Sequence, residues 1–283
     1  MSNKKITIIG SLNEFLEQLR LENKHDSEIR CFRGESKSGW SSIPTIYRDE
    51  YDKEKENEVL KELFNEVPEV FGKDKTTFEK LVRARHYSFP CRLLDVTMNP
   101  LIALYNACKE RSGEEGVVKI IFVEKNRVHY PDDIEVSLLA NFCLLKRESK
   151  RVLQDRKYLQ NGSYEKFKKA KNTLEGLIRK EIGGFSLHND FTTTFNKYIF
   201  VYGAKNNVRV IAQSGAFIMT GFNEDFQMKN SSFFTESKIL INGNKKNEIL
   251  KDLDELLSIN ESTIYPDFES VAKYIGNKAK KAK

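Results

Sequence analysis

The chain has 283 residues, and with 39% hydrophobic and 11% aromatic residues it carries enough apolar side chain to bury a core, which excludes a disordered protein. Charged residues reach 31% and the net charge is +6, but four of those charges are Lys278, Lys280, Lys281 and Lys283. The remainder is near about +2, which argues against a general polyanion binder.

Taken in order, Lys5–Ile9 predicts a short strand, and Ser11 with Glu14 matches a capping box. Leu12, Phe15, Leu16 and Leu19 then recur at helical spacing and need a sheet to lie on. Ile29–Arg33 reads as a strand ending at Gly34. Arg33 offers a planar donor fork and Gly34 an open backbone, so the pair is a candidate anion hook; a structural ion pair followed by a turn is the competing reading. Trp40 is read as a packing residue and Glu54–Val67 as a helix ended by Pro68.

The densest chemistry lies in Leu81–Cys108, where His86, Tyr87, Arg92, Asp95 and Thr97 stand among apolar neighbours. Buried polar groups need partners, so these residues form either a binding site or an internal ion network. Ser88-Phe89-Pro90 breaks a helix, Cys91–Val96 is strand-like, and Asn99-Pro100 starts a helix carrying Leu101, Leu104, Tyr105 and Cys108. Gly116–Val123 is a β-branched strand. Lysine, arginine and glutamate dominate Glu148–Arg179, predicting exposed helices in an insertion at about 146–185. Strands follow at Tyr198–Val201, Val208–Gln213 and Phe233–Ile241, then helices over Leu250–Leu257 and Phe268–Ile275.

Strands spread from end to end with helices between them predict an α+β domain built on a mixed or antiparallel central sheet. Cys31, Cys91, Cys108 and Cys143 lack CxxC spacing, no secretory signal precedes the first strand, and no apolar run approaches the roughly 18 residues of a membrane span. The expectation is a cytoplasmic protein with reduced thiols, no membrane partner and no metal site.

Four segments together resemble the FRG-domain family. They are Phe32-Arg33-Gly34, Ala84–Leu104 (ARHYSFPCRLLDVTMNPLIAL), Arg209–Phe217 (RVIAQSGAF) and Ile264–Ile275 (IYPDFESVAKYI). The resemblance implies an FRG domain over 1–275, leaving 276–283 as a basic tail. Arg85, Ser88, Cys91 and Val96 depart from the family's usual glutamine, glycine, threonine and tryptophan.

A strand ending in aromatic-Arg-Gly is also similar to the first motif of the ADP-ribosyltransferases, and that likeness implies an ADP-ribosyltransferase-like core with NAD as the substrate. It casts Arg33, Gly34, Tyr87, Arg92 and Thr97 as cofactor-binding and His86, Asp95, Glu35 and Gln213 as catalytic. Gly215 stands where those enzymes carry their catalytic glutamate, so Asp95 or Glu35 must supply the carboxylate. The implied activity is that of an NAD-using transferase or NAD-degrading effector of bacterial toxin and phage-defence systems. Two alternatives stay open: a non-catalytic binding module, and a nucleic-acid binder or nuclease using the basic stretch Lys146–Lys180 and the tail, although no PD-x-ExK or HNH constellation is present. The protein target is left open.

Overall fold

The computed structural model describes residues 7–22, 25–155, 164–188, 191–222 and 234–279. Among them, eight strands make one sheet: β1 (Ile8–Ile9), β2 (Glu28–Glu35), β3 (Leu94–Thr97), β4 (Gly116–Glu124), β5 (Val128–His129), β6 (Tyr198–Tyr202), β7 (Gly215–Thr220) and β8 (Phe234–Ile241). Their order is β1-β8-β4-β2-β3-β7-β6-β5. The two outer pairs, β1 with β8 and β5 with β6, are parallel and every inner pair is antiparallel, as the α+β reading expects.

Helices cover the sheet as two packed groups. On one side α1 (Leu12–Leu21), α5 (Pro100–Cys108) and α11 (Lys246–Leu257) bury Phe15, Leu104, Ile249 and Leu253 against Phe32, Val118 and Ile120. The other group contains α2 (Glu56–Glu66), α4 (Thr77–His86), α6 (Ile134–Phe142), α7 (Arg147–Gln154), α8 (Tyr164–Ile178) and α9 (Thr192–Phe195). Here Phe78, Leu81, Leu139, Leu174 and Phe195 pack on Phe217 and Met219 of β7. The short α3 (Pro68–Phe71), α10 (Val208–Ala212), α12 (Glu261–Ile264) and α13 (Phe268–Lys278) complete the chain.

Local chemistry accounts for the helix starts. The Ser11 hydroxyl accepts from the Glu14 amide at 3.3 Å, while the Glu14 carboxylate reaches the Gly10 amide rather than that of Ser11. The Asn99 side chain accepts from the Leu101 amide at 2.9 Å, with Pro100 at the first helical position. A full capping box of Thr76 and Glu79 opens α4.

Three expectations change. Val208–Gln213, read as a strand, is helical through Ala212; Val208 and Ile211 face solvent and only Val210 is buried, so the Asn207 cap overrides β-branched propensity. The sequence reading places no element at Ile134–Phe142, because a helix buried nearly all round shows no polar period. The charged stretch at 146–185 holds α7 and α8, expected to be exposed, yet Val152, Leu153, Phe167, Ala170, Leu174 and Ile178 lie in the largest core cluster. Just beyond α8, the Glu181 carboxylate accepts from the Thr77 amide at 2.7 Å, the Ser137 hydroxyl at 2.6 Å and the Asn141 amide at 2.9 Å. Of the basic tail, Lys280, Lys281 and Lys283 lie outside the described residues. Among the described residues, no helix is long and apolar enough to cross a membrane.

The closest approach in the fold is between backbones. A Cβ on Gly34 would sit 1.8 Å from the Ala103 carbonyl oxygen, and one on Gly116 would sit 2.5 Å from that of Ala107. Helix α5 therefore rests on β2 and β4 with no side chain between them at these two points. Gly34 is a glycine because α5 lies on it, a packing reason that stands beside the expectation that it opens the backbone to a ligand. Gly34→Ala should lower stability by about 3 kcal/mol, read as a fall in the urea midpoint; a loss under about 1 kcal/mol would mean that α5 can retreat.

Candidate functional site

Strands β2 and β3 share one paired position, Phe32 with Thr97. Beyond it β2 stays on β4 through Glu35, while β3 stays on β7 down to Leu94. A cavity of about 720 Å³ opens where the strands part, lined by Arg33 and Glu35 of β2, Asp95 of β3 and Arg85 and His86 of α4. Arg48, Arg209, Gln213, Tyr265, Trp40 and Tyr47 also line it, as do the acidic Asp49, Glu50 and Glu110. Trp40, expected to pack, is 42% exposed and carries the Arg111 guanidinium 5.0 Å above its ring.

Strand alternation explains the charge arrangement, since Arg33 and Glu35 share the face opposite Gly34. Lys119 stands opposite Arg33 on β4. The Arg33 Nε donates to Glu35 Oε1 at 2.9 Å, and its Nη1 donates to the Asp95 backbone carbonyl at 2.8 Å. The Lys119 ammonium lies 2.5 Å from Glu35 Oε2 and donates to the Trp40 carbonyl at 2.8 Å. Burial works to raise the Glu35 carboxyl, but the Arg33 and Lys119 charges hold it below its ordinary range.

Arg85 donates to Asp95 Oδ2 at 2.7 Å, and that carboxylate raises the guanidinium's proton affinity. Thus Arg85, which stands where the FRG-domain resemblance implies glutamine, is spent on Asp95. Arg48 differs from both. It follows a single helical turn at Thr45–Tyr47 and forms no ion pair among the described residues. Burial and then repulsion from Arg33 and Arg85 lower its proton affinity, outweighing attraction from Glu50 and Glu35. It is a half-buried cation beside two others, a setting that an anion would relieve.

The remaining corner joins α4 to α10. The Asn207 amide lies 2.8 Å from His86 Nδ1, and the Arg209 Nη1 donates to the His86 carbonyl at 2.5 Å. Arg209 is also 4.6 Å from the Tyr265 ring centroid. Burial, then Arg209, pushes the imidazole down to about 4, so it is uncharged at neutral pH. Gln213 Nε2 donates to the Ile264 carbonyl at 3.3 Å, and the Gln213 carbonyl accepts from the Thr97 hydroxyl at 2.6 Å.

Of the residues singled out from the sequence, Arg33, Gly34, Glu35, His86, Asp95 and Gln213 border this cleft. Tyr87 caps α4 but points outward, 75% exposed. Thr97 is buried and acts through its bond to the Gln213 backbone. Arg92 is fully buried elsewhere, paired with Glu56, which also receives Lys150 at 2.6 Å. Burial would raise Glu56, yet Arg92 and Lys150 bring it down to about 2. Ser88, where the family has glycine, holds a φ of 61°, the left-handed region that glycine favours. Sequence reasoning missed Arg48, Lys119, Asn207, Arg209 and Tyr265 as site residues; Lys119 is one polar residue in an apolar strand, Arg209 and Tyr265 lie in segments already quoted for the resemblance, and no local signal marks Arg48 or Asn207. Among the described residues, no group of three or more His, Cys, Asp and Glu is placed to hold a metal ion.

Residues 28–116 match the family model of the FRG domain, and the chain carries that domain there. The match includes Phe32-Arg33-Gly34 and the whole of Leu81–Cys108, while Arg209, Gln213 and Tyr265 come from outside it. No curated protein and no solved structure matches the chain.

Glu35→Gln should cost about 3 kcal/mol at neutral pH, because it leaves Arg33 and the buried Lys119 without their anion. Since the folded Glu35 carboxyl lies below its ordinary 4.5, its contribution is complete above that value and is lost as pH falls through the lower one. Urea unfolding of wild type and variant across this range should show the gap closing toward acid; a gap independent of pH would disprove the assignment.

Proposed function

We propose that the cleft between β2 and β3 binds a phosphate-bearing nucleotide, with NAD as the candidate ligand. The observation that carries this reading is Arg48, a half-buried guanidinium without an ion pair among the described residues, set beside Arg33 and Arg85. Guanidiniums suit phosphate oxygens because their donors are planar and paired, and a partly closed site strengthens each contact. A cavity near 720 Å³ has the size of a nucleotide pocket, and Trp40, Tyr47 and Tyr265 supply aromatic faces for a base.

The NAD-consuming version needs a carboxylate near the ribose. When the bond to nicotinamide breaks, the electron pair leaves with the base and positive charge develops on the sugar. Asp95 is the better placed of the two acids, with 40% of its side chain exposed against 3% for Glu35. Two features weigh against a close ADP-ribosyltransferase analogy. Gln213 ends a helix instead of lying in a strand, and the face of Gly34 where a side chain would stand is covered by α5, so only its backbone borders the cleft. A binding-only version is favoured by the fact that both carboxylates already hold cations. A toxin or phage-defence role would follow from NAD consumption and depends on it.

Titration calorimetry with NAD, ADP-ribose and ATP tests the reading. At least one should bind, with affinity falling as salt rises, and Arg48→Ala should weaken it about tenfold. Nicotinamide release from NAD that is lost in Asp95→Asn would support the enzyme; binding without release would leave a binding module. Absence of binding by all three would reject the nucleotide site.

A further inference from the structure

His86 closes α4 at one corner of the cleft, and its chemistry is set by Asn207. That residue is the N-cap of α10, where its Oδ1 accepts from the Arg209 amide at 3.0 Å and the Val210 amide at 3.4 Å. Both neighbours are donors, so the oxygen cannot change places with the amide nitrogen: reversed, the NH₂ would face two N–H groups. Nδ2 is consequently turned to His86 Nδ1 at 2.8 Å. An amide nitrogen only donates, so Nδ1 must accept and the ring's proton must sit on Nε2. His86 lines the cavity, and its Nε2 has no partner among the described residues.

The surroundings keep the ring from gaining a second proton. Arg209 of α10 and Arg83 and Arg85 of α4 oppose it along with burial, and Asp95 of β3 alone favours it. A proton on Nδ1 would also have to displace the bond from Asn207.

We infer that His86 is an uncharged Nε2–H donor, locked in that tautomer by the cap of α10, that gives one hydrogen bond to an acceptor oxygen of the bound nucleotide and takes no proton from it. The ligand part rests on the nucleotide reading; the tautomer rests on the Asn207 geometry alone. His86 is then a ligand-binding residue and not the general base, and proton transfer in any reaction at this site falls to the carboxylates.

Long-range ¹H–¹⁵N spectra of the full chain test the tautomer. His86 should show an unprotonated Nδ1 and a protonated Nε2, unchanged between pH 8 and pH 6. Asn207→Asp keeps an oxygen for the helix cap but sets a second oxygen against Nδ1, so it should move a proton to Nδ1 and bring the His86 titration up toward neutrality. A protonated Nδ1 in the wild type, or an Asn207→Asp spectrum identical to it, overturns the lock.

The donor role is read with ADP-ribose as the probe. His86→Gln, which retains an N–H, should stay within about threefold of wild type, and His86→Ala should lose about tenfold. Should His86→Ala fail to fold, His86→Phe makes the same comparison in filled space. Equal affinity in wild type and the variant lacking a donor overturns that role. If wild type shows the expected spectra but binds none of ADP-ribose, NAD and ATP, the nucleotide reading fails and the tautomer stands.

Discussion

The fold turns on the contact of α5 with β2 and β4, where helix and sheet meet backbone to backbone at Gly34 and Gly116. No other residue type can occupy Gly34 without moving the helix, because the nearest carbonyl oxygen already fills the space of a Cβ. Strand alternation then does the rest. With Gly34 turned to α5, its neighbours Arg33 and Glu35 must project from the opposite face, where Lys119 meets them from β4. One steric requirement thus aims both the basic and the acidic side chain of the Phe-Arg-Gly-Glu run into the cleft. The same helix starts just after β3, so its seat on the sheet also sets where β3 can leave β2.

Two ionic assemblies stand on this frame and differ in how far their charges are balanced. Around Glu56, Arg92 and Lys150 close on a carboxylate that water does not reach, with the Arg92 guanidinium 5.3 Å from the Phe142 ring. That group ties α2 and α7 to the entry of β3, and its Arg92 and Glu56 lie buried away from the cleft. Removing one partner from such a set is costly because the others remain buried and charged. In the cleft the balance is looser: Arg33 and Arg85 are ion-paired, while Arg48 feels Glu50 and Glu35 without forming an ion pair among the described residues, and part of the surface stays wet. A polar cluster that is satisfied internally holds a fold together; one that is left with an unpaired cation facing a cavity is prepared for an anion. His86 adds an uncharged donor to the same wall, so the site combines charge for binding with a directional contact.

Much of this organisation is legible in the order of residues. Ser11, Asn99-Pro100 and the β-branched run at Gly116–Val123 announce their elements through caps and side-chain periods that act within a few residues. Phe32-Arg33-Gly34 and Leu81–Cys108 mark two sides of the cleft, and residues 28–116 carry the family signature. Where the reading failed, the deciding force was not local. Val208–Gln213 has the composition of a strand, but its flanking Val208 and Ile211 find no second layer to pack on and the Asn207 cap makes it helical. Ile134–Phe142 shows no amphipathic period because helices surround it. Arg92, which the ADP-ribosyltransferase likeness casts as cofactor-binding, is an internal tie to Glu56, 36 positions away, in line with the competing reading of an internal ion network.

What the sequence by itself determined, then, is the α+β class, the helix starts at Ser11 and Asn99-Pro100, and the identity of the polar residues held in Leu81–Cys108, because propensity, capping and period are written in neighbouring side chains. Only the tertiary structure decided which of those residues face a cavity and which lock the core. It paired Arg33 with Glu35 and Lys119, left Arg48 open, set Asn207 against His86, and turned Gly34 toward α5. Each of those outcomes depends on atoms brought together from distant parts of the chain, and the energy of a charge or a hydrogen bond is fixed by what surrounds it in space and not by its position along the backbone.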